Sequence, residues 1–190
     1  MADIPRLDHG LIGNGSLLAL VSPTSAIEWL CLPRFDGPSV FARLLDTTAG
    51  GVFRILAGGE EVAGEMSYLA NTNILCTRFS HQDARWELLD FAPRLPKGWG
   101  VEAPIRLLRL LRPLGGNVRL SVDFDPRLDY GRGPTHIMAL HDGLEVHGTG
   151  GPLHLQTNLP LAYVAARREF TLDGPVFLSL SYGAPPPMTL

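Results

Sequence analysis

Most of the residue patterns that announce a function by themselves are scarce in this chain. Charged side chains make up only 18% of the 190 residues, and the net charge is −3. The basic stripe expected of a nucleic-acid binder is therefore missing. Arg106, Arg109, Arg112 and Arg119 come closest to one, but they are spread over strand-like segments without interleaved aromatics. They read as solvated faces or ion pairs. Only two cysteines occur, Cys31 and Cys76, each inside an apolar run. Two small buried hydrophobes fit that setting better than a disulfide-framed secreted scaffold does. No apolar run reaches the roughly 18–20 residues of a membrane span. The first residues show no basic region followed by an apolar stretch. The expectation is a cytoplasmic protein with no membrane or nucleic-acid partner.

Long helical periodicities are missing as well. Glycine (21) and proline (16) are abundant, and hydrophobic residues reach 45%. That composition suits many short strands joined by turns around a substantial core. Leu17–Val21 and Ala26–Leu32 read as strands around Ser22-Pro23-Thr24-Ser25, and Gly51–Ala57 as another. Asn73–His81 and Arg85–Phe91 predict a hairpin around Gln82-Asp83, with Asn73, Leu75, Thr77 and Phe79 on one face. Ile105–Pro113 and Asn117–Phe124 predict a second hairpin through Gly115-Gly116. Thr135–Leu140 and Leu144–Val146 predict a third across Asp142-Gly143. Leu153–Thr157, Glu169–Leu172 and Val176–Tyr182 follow as strands. Val40–Leu45 is the one helical fragment, and Ala92–Pro104 reads as a long loop. The expected fold is all-β: a large antiparallel β-sandwich of about a dozen or more strands with one short helix.

Complete chemical motifs are absent too. Gly13-Asn14-Gly15 lacks the third glycine and the following helix of a dinucleotide fingerprint, and reads as a turn between strands. His9, His81, His136, His141, His147 and His154 match no zinc spacing, so neither metal nor cofactor is expected. No Gly-x-Ser-x-Gly elbow occurs. Asp123, Asp125 and Asp129 are the densest carboxylates near aromatics. Asp123 and Asp125 fit one strand face at roughly 7 Å, but Asp-x-Asp-Pro is the ending of a solvated turn more often than an acid–base pair. No catalytic residue is assigned. Trp29 and Trp86 lie in apolar strand contexts and read as core. Trp99, in Lys97-Gly98-Trp99-Gly100, sits in the loop as a candidate for sugar stacking.

The segment Leu11–Leu45 carries the most information. An apolar strand, Ile27–Leu32, runs into Pro33, and a cation, an aromatic and a carboxylate follow as Arg34-Phe35-Asp36. Arg34 and Asp36 read either as a structural ion pair or as ligand or partner contacts at a domain edge. Together with other landmarks, this segment resembles the N-terminal domain of bacterial and archaeal glycoside hydrolase family 15 proteins, the glucoamylase and trehalase-like group. The resemblance rests on Ile12-Gly13-Asn14-Gly15, Ile27 to Asp36, and Phe41 to Asp46 followed by Gly50-Gly51. It continues through Tyr68, Asn71-Thr72-Asn73, Leu75 to Phe79, Asp90-Phe91-Ala92-Pro93 and Pro126 to Arg132. Ser25-Ala26 and Gly37 depart from the family's usual Asp-Gly and Ser.

The resemblance implies a non-catalytic β-sandwich, here residues 1–183. It would be followed by a Pro-rich linker beginning at 184–190 and by a C-terminal (α/α)6 barrel that hydrolyses α-glucosidic bonds with inversion. That barrel would be the partner, and an α-glucoside the substrate of the full-length protein only. Arg34, Phe35 and Asp36 are the first candidates for residues at the substrate cleft or the interdomain contact. Arg127, Asp129, Tyr130 and Arg132 come second. The competing expectations are an independent carbohydrate-binding module acting through Trp99 or Tyr130, and a purely structural spacer.

Overall fold

Alternating burial along several of the short strands, such as Leu18–Val21 and residues 106–111, decides which faces meet in the core. The computed structural model describes residues 8–184; the N-terminal stretch and most of the expected Pro-rich linker, 185–190, lie outside the described residues. In chain order the strands begin with β1 (Gly10–Gly13), β2 (Leu18–Val21), β3 (Ile27–Cys31), β4 (Ser39–Phe41), β5 (Val52–Ala57) and β6 (Glu65–Tyr68). They continue with β7 (Leu75–His81), β8 (Ala84–Phe91), β9 (Leu95–Lys97), β10 (Gly100–Glu102), β11 (Arg106–Gly115) and β12 (Arg119–Asp125). The last are β13 (His136–Leu140), β14 (Gly143–His147), β15 (Leu153–Thr157), β16 (Phe170–Thr171) and β17 (Val176–Tyr182), with one helix, α1 (Leu161–Ala165).

Two antiparallel sheets hold nearly all of them. A seven-stranded sheet runs β1-β2-β3-β5-β12-β16, with β4 paired to β3. An eight-stranded sheet runs β13-β14-β15-β17-β11-β8-β7-β6. The inward phases meet in one core: Leu75, Leu88, Leu107, Leu111 and Leu178 from the larger sheet, Ile27, Phe53, Leu120 and Val122 from the smaller. Phe41, Phe53 and Phe124 pack ring to ring at 5.1–6.2 Å between centroids. This is the expected sandwich.

A fully buried ion pair crosses this core. Arg109 on β11 and Asp90 on β8 stand opposite each other on the inward face, and neither is accessible. The guanidinium donates to Asp90 at 2.8 and 3.2 Å. It also donates across the sandwich to the Phe53 carbonyl at 2.7 Å and to the Ser25 carbonyl, and lies 4.8 Å from the Phe53 ring centroid. One side chain of the larger sheet thus pins two segments of the smaller one. Among the four arginines read as solvated or paired, Arg109 is the paired one that is not solvated at all.

Several local expectations are corrected. Val40–Leu45 is not a helix: Ser39–Phe41 is strand β4, because Phe41 pairs with Leu30 and fills the aromatic cluster. Thr48 and Ala49 then donate their backbone N–H groups to the Asp46 carboxylate in a turn. β11 and β12 do not form a hairpin. Gly115 and Gly116, both at positive φ, carry the chain from one sheet to the other, where a Cβ on Gly116 would lie 2.3 Å from the Asp83 carbonyl oxygen. The Ala92–Pro104 loop contains the β9–β10 ribbon. The short helix is α1, in a segment left unassigned by pattern, and Trp29 is half-buried where full burial was expected.

Candidate functional site: a loop rim at one edge of the sandwich

Strand β3 delivers the candidate segment. Cys31 and Leu32 are buried, so the chain is anchored up to the Leu32–Pro33 peptide, which is cis. The Leu32 N–H donates to the Pro38 carbonyl at 3.2 Å and the Gly37 N–H to the Arg34 carbonyl at 3.0 Å, closing a narrow loop. At its tip Arg34, Phe35 and Asp36 are all exposed. The Arg34 guanidinium donates to both Asp36 oxygens, at 2.9 and 3.1 Å. The hydrogen bonds from Arg34, more than its charge, hold the Asp36 carboxyl below the usual carboxylate range. The same pair raises Arg34, and burial of the Cys31 thiol, with Asp36 nearby, pushes Cys31 up. Two of the five guanidinium donors are used internally, which leaves the others facing outward.

The second group of candidates buttresses this loop. After β12 the Arg127 N–H donates to the Val40 carbonyl at 2.9 Å, and buried Leu128 anchors the turn. Asp129 and Tyr130 then adopt left-handed backbone (φ 51° and 59°) in a short 3-10 segment, Asp129–Gly131. This throws the Tyr130 ring toward Trp29, 6.5 Å away, and its hydroxyl donates to the Gly37 carbonyl at 3.4 Å. Arg132 covers the other part of the Tyr130 ring at 5.2 Å. The turn sits close against Gly51: at φ +70° a Cβ there would lie 2.4 Å from the Asp125 carbonyl oxygen. Tyr130, with Arg132 over its ring, therefore meets through Gly37 the loop that carries Arg34, Phe35 and Asp36. Arg127 faces Asp125, 3.2 Å away. Trp99 does not join them. It is fully exposed on the turn between β9 and β10.

Phe35 also forms one wall of a groove of about 560 Å³ with Leu11, Leu18, Asn73 and Arg94. Asn14 builds its floor. Only 3% exposed, its amide donates to the Pro93 and Pro104 carbonyls at 3.1 and 2.8 Å. Its side-chain oxygen accepts from the Ser16 and Leu17 N–H groups. Pattern reading took this residue for part of a glycine-rich turn. The signal was the lone amide between two glycines, the usual mark of a side chain satisfying turn backbone.

The carboxylates that invited an acid–base reading are committed elsewhere. Asp123 faces Arg54 at 2.8 Å and Arg167 at 3.0 Å, and Asp125 faces Arg127. No cluster of metal-ligating side chains occurs among the described residues, and no helix there is long and apolar enough to cross a membrane.

The fold and this rim define an all-β sandwich domain that presents a cation–aromatic–carboxylate loop on an aromatic buttress. Residues 2–160 match the family model described as "Trehalase-like, N-terminal", and the chain belongs to that family. It is 32% identical over 209 aligned residues to the trehalase of Mycolicibacterium smegmatis, covering 96% of this chain. Similarity to the trehalase of Mycobacterium tuberculosis is 31% over 97% of the chain, and to trehalase 1 of Sulfolobus acidocaldarius 37% over 72%. The chain spans about 31% of the length of the two mycobacterial relatives and 22% of the third.

Proposed function

We propose that this chain is the non-catalytic N-terminal domain of a larger family 15 α-glucoside hydrolase, and that its rim helps to shape the substrate cleft. In this reading the sandwich packs on a C-terminal (α/α)6 barrel that carries the acid and base for inverting hydrolysis. The relatives named trehalase make trehalose the first substrate to test. The observation that carries the reading is the rim itself. Arg34 and Asp36 present a guanidinium with free donors and a carboxylate kept ionised, the two groups that together bind vicinal sugar hydroxyls, with Phe35 beside them as an apolar platform. The domain's own carboxylates near aromatics are paired with arginines, which supports a supporting role and not an acid–base one. A cytoplasmic setting fits the two buried, unpaired thiols.

The test is Arg34→Ala in the full-length protein. Loss of a charged hydrogen bond to substrate lowers kcat/KM by about 10–100-fold. The melting temperature stays within about 2 °C, because an exposed pair contributes little to stability. Wild-type kinetics in the folded variant refute the cleft role.

A further inference from the structure

The ribbon β9–β10 stands apart from both sheets. It has three residues per strand, forms its own two-stranded sheet, and all six strand residues are exposed. Gly98 at φ +57° starts a two-residue turn and Trp99 follows it without positive φ, the glycine-first hairpin turn. Pro96 lies opposite Val101, giving one uncharged face with Trp99 at its tip. On the other face Lys97 pairs with Glu102 at 3.1 Å, so the ribbon carries no net charge. An isolated two-stranded ribbon is marginal in water and needs an apolar face covered to persist. Pro96 and Val101 on that face, with Trp99 at the tip, are the apolar material such a covering would bury, and Trp99 and Val101 are both exposed.

Where the chain leaves the sandwich indicates what covers it. Ala184 lines a groove of about 300 Å³ with Leu95 and Glu102 of the ribbon and with Ile105 and Tyr182. Ala184, the last described residue, therefore lies beside the ribbon. The family description places the matched region at the N-terminus of its proteins, and the mycobacterial relatives are about three times as long as the match.

We propose that the β9–β10 ribbon is a docking arm, with Trp99 as the anchor that enters an apolar crevice on the C-terminal part of the full-length protein. This rests on the reading that the chain belongs to such a longer hydrolase, and it names the surface by which the two parts hold together. A central aromatic that inserts into a partner pocket carries a disproportionate share of an interface, and its truncation is the sensitive perturbation. Nothing in the sandwich core depends on Trp99, so its removal leaves the domain folded.

The experiment uses the full-length protein and measures the rate of limited proteolysis in the segment after residue 184. Trp99→Ala speeds cleavage by about tenfold or more, as expected for loss of an interface anchor, and Val101→Ser speeds it less. Met138→Ala, an equally apolar exposed residue on β13, leaves the rate unchanged. Wild-type cleavage rates in both ribbon variants overturn the proposal. Wild-type cleavage combined with lost glucan binding in Trp99→Ala overturns it in favour of a sugar-stacking role. Arg34→Ala is expected to lower activity without changing the cleavage rate, so the arm and the cleft role fail independently.

Discussion

Removing one partner of the buried Asp90–Arg109 pair tests the account of the core most sharply. In Asp90→Ala the guanidinium keeps its two carbonyl partners, at Phe53 and Ser25, but loses both carboxylate bonds in a site with no solvent. A guanidinium does not shed its proton at any ordinary pH, so the charge stays uncompensated. Breaking a buried pair in this way costs about 3–5 kcal/mol, a large share of a domain's usual stability. For a chain of this size that lowers the melting temperature by about 6–20 °C. Arg109→Met is expected to cost less at neutral pH, because a stranded carboxylate escapes by protonating. Burial already pushes the Asp90 carboxyl upward against the pull of Arg109. Without the cation its folded pKa rises further, above that of the unfolded chain. Stability of Arg109→Met relative to wild type is then fullest below the ordinary aspartate pKa and falls as pH rises through the raised one. Thermal unfolding by circular dichroism across pH 4–8 reads both effects. A loss under about 1 kcal/mol in Asp90→Ala, or a larger loss in Arg109→Met at neutral pH, refutes the reasoning.

Two smaller predictions concern the rim. Gly51→Ala forces a left-handed alanine against the Asp125 carbonyl and costs about 2 kcal/mol or more; it also shifts the turn that carries Tyr130, which a changed Trp29 fluorescence reports. The Asp36 carboxyl titrates below the usual range in the wild type, and its pKa rises in Arg34→Ala, where the hydrogen bonds that lower it are gone. The pair's small contribution is thus present above the ordinary aspartate pKa and lost as pH falls through the lowered value. Carbon-13 titration of the carboxyl follows it, and identical curves in the two proteins contradict the pairing.

Local chemistry made much of this architecture legible. Period-two alternation marked Leu75–Phe79 as a half-buried strand, and Gln82-Asp83 set one hairpin in place; the β13–β14 hairpin formed as well, but it turns at His141-Asp142, one residue before the expected Asp142-Gly143, with Gly143 already paired to Leu140. An apolar strand ending at a proline before Arg34-Phe35-Asp36 marked the rim. Alternation, however, tells which face a residue takes and not which strand lies beside it. Leu107 and Leu111 of β11 and Leu120 and Val122 of β12 suit a hairpin or two facing sheets equally well, and only packing chose the second. Arg109 occupies the apolar phase between Leu107 and Leu111. A charge is tolerated there only because β8 brings Asp90 to its side and the opposite sheet supplies two carbonyls. The contact of Tyr130 with Gly37 joins residues 93 positions apart. The sequence by itself determined the class of fold, the strand faces and the exposed loop. The tertiary structure alone decided which charges are buried and which loops form one rim, because both depend on partners that are close only after the sheets have packed.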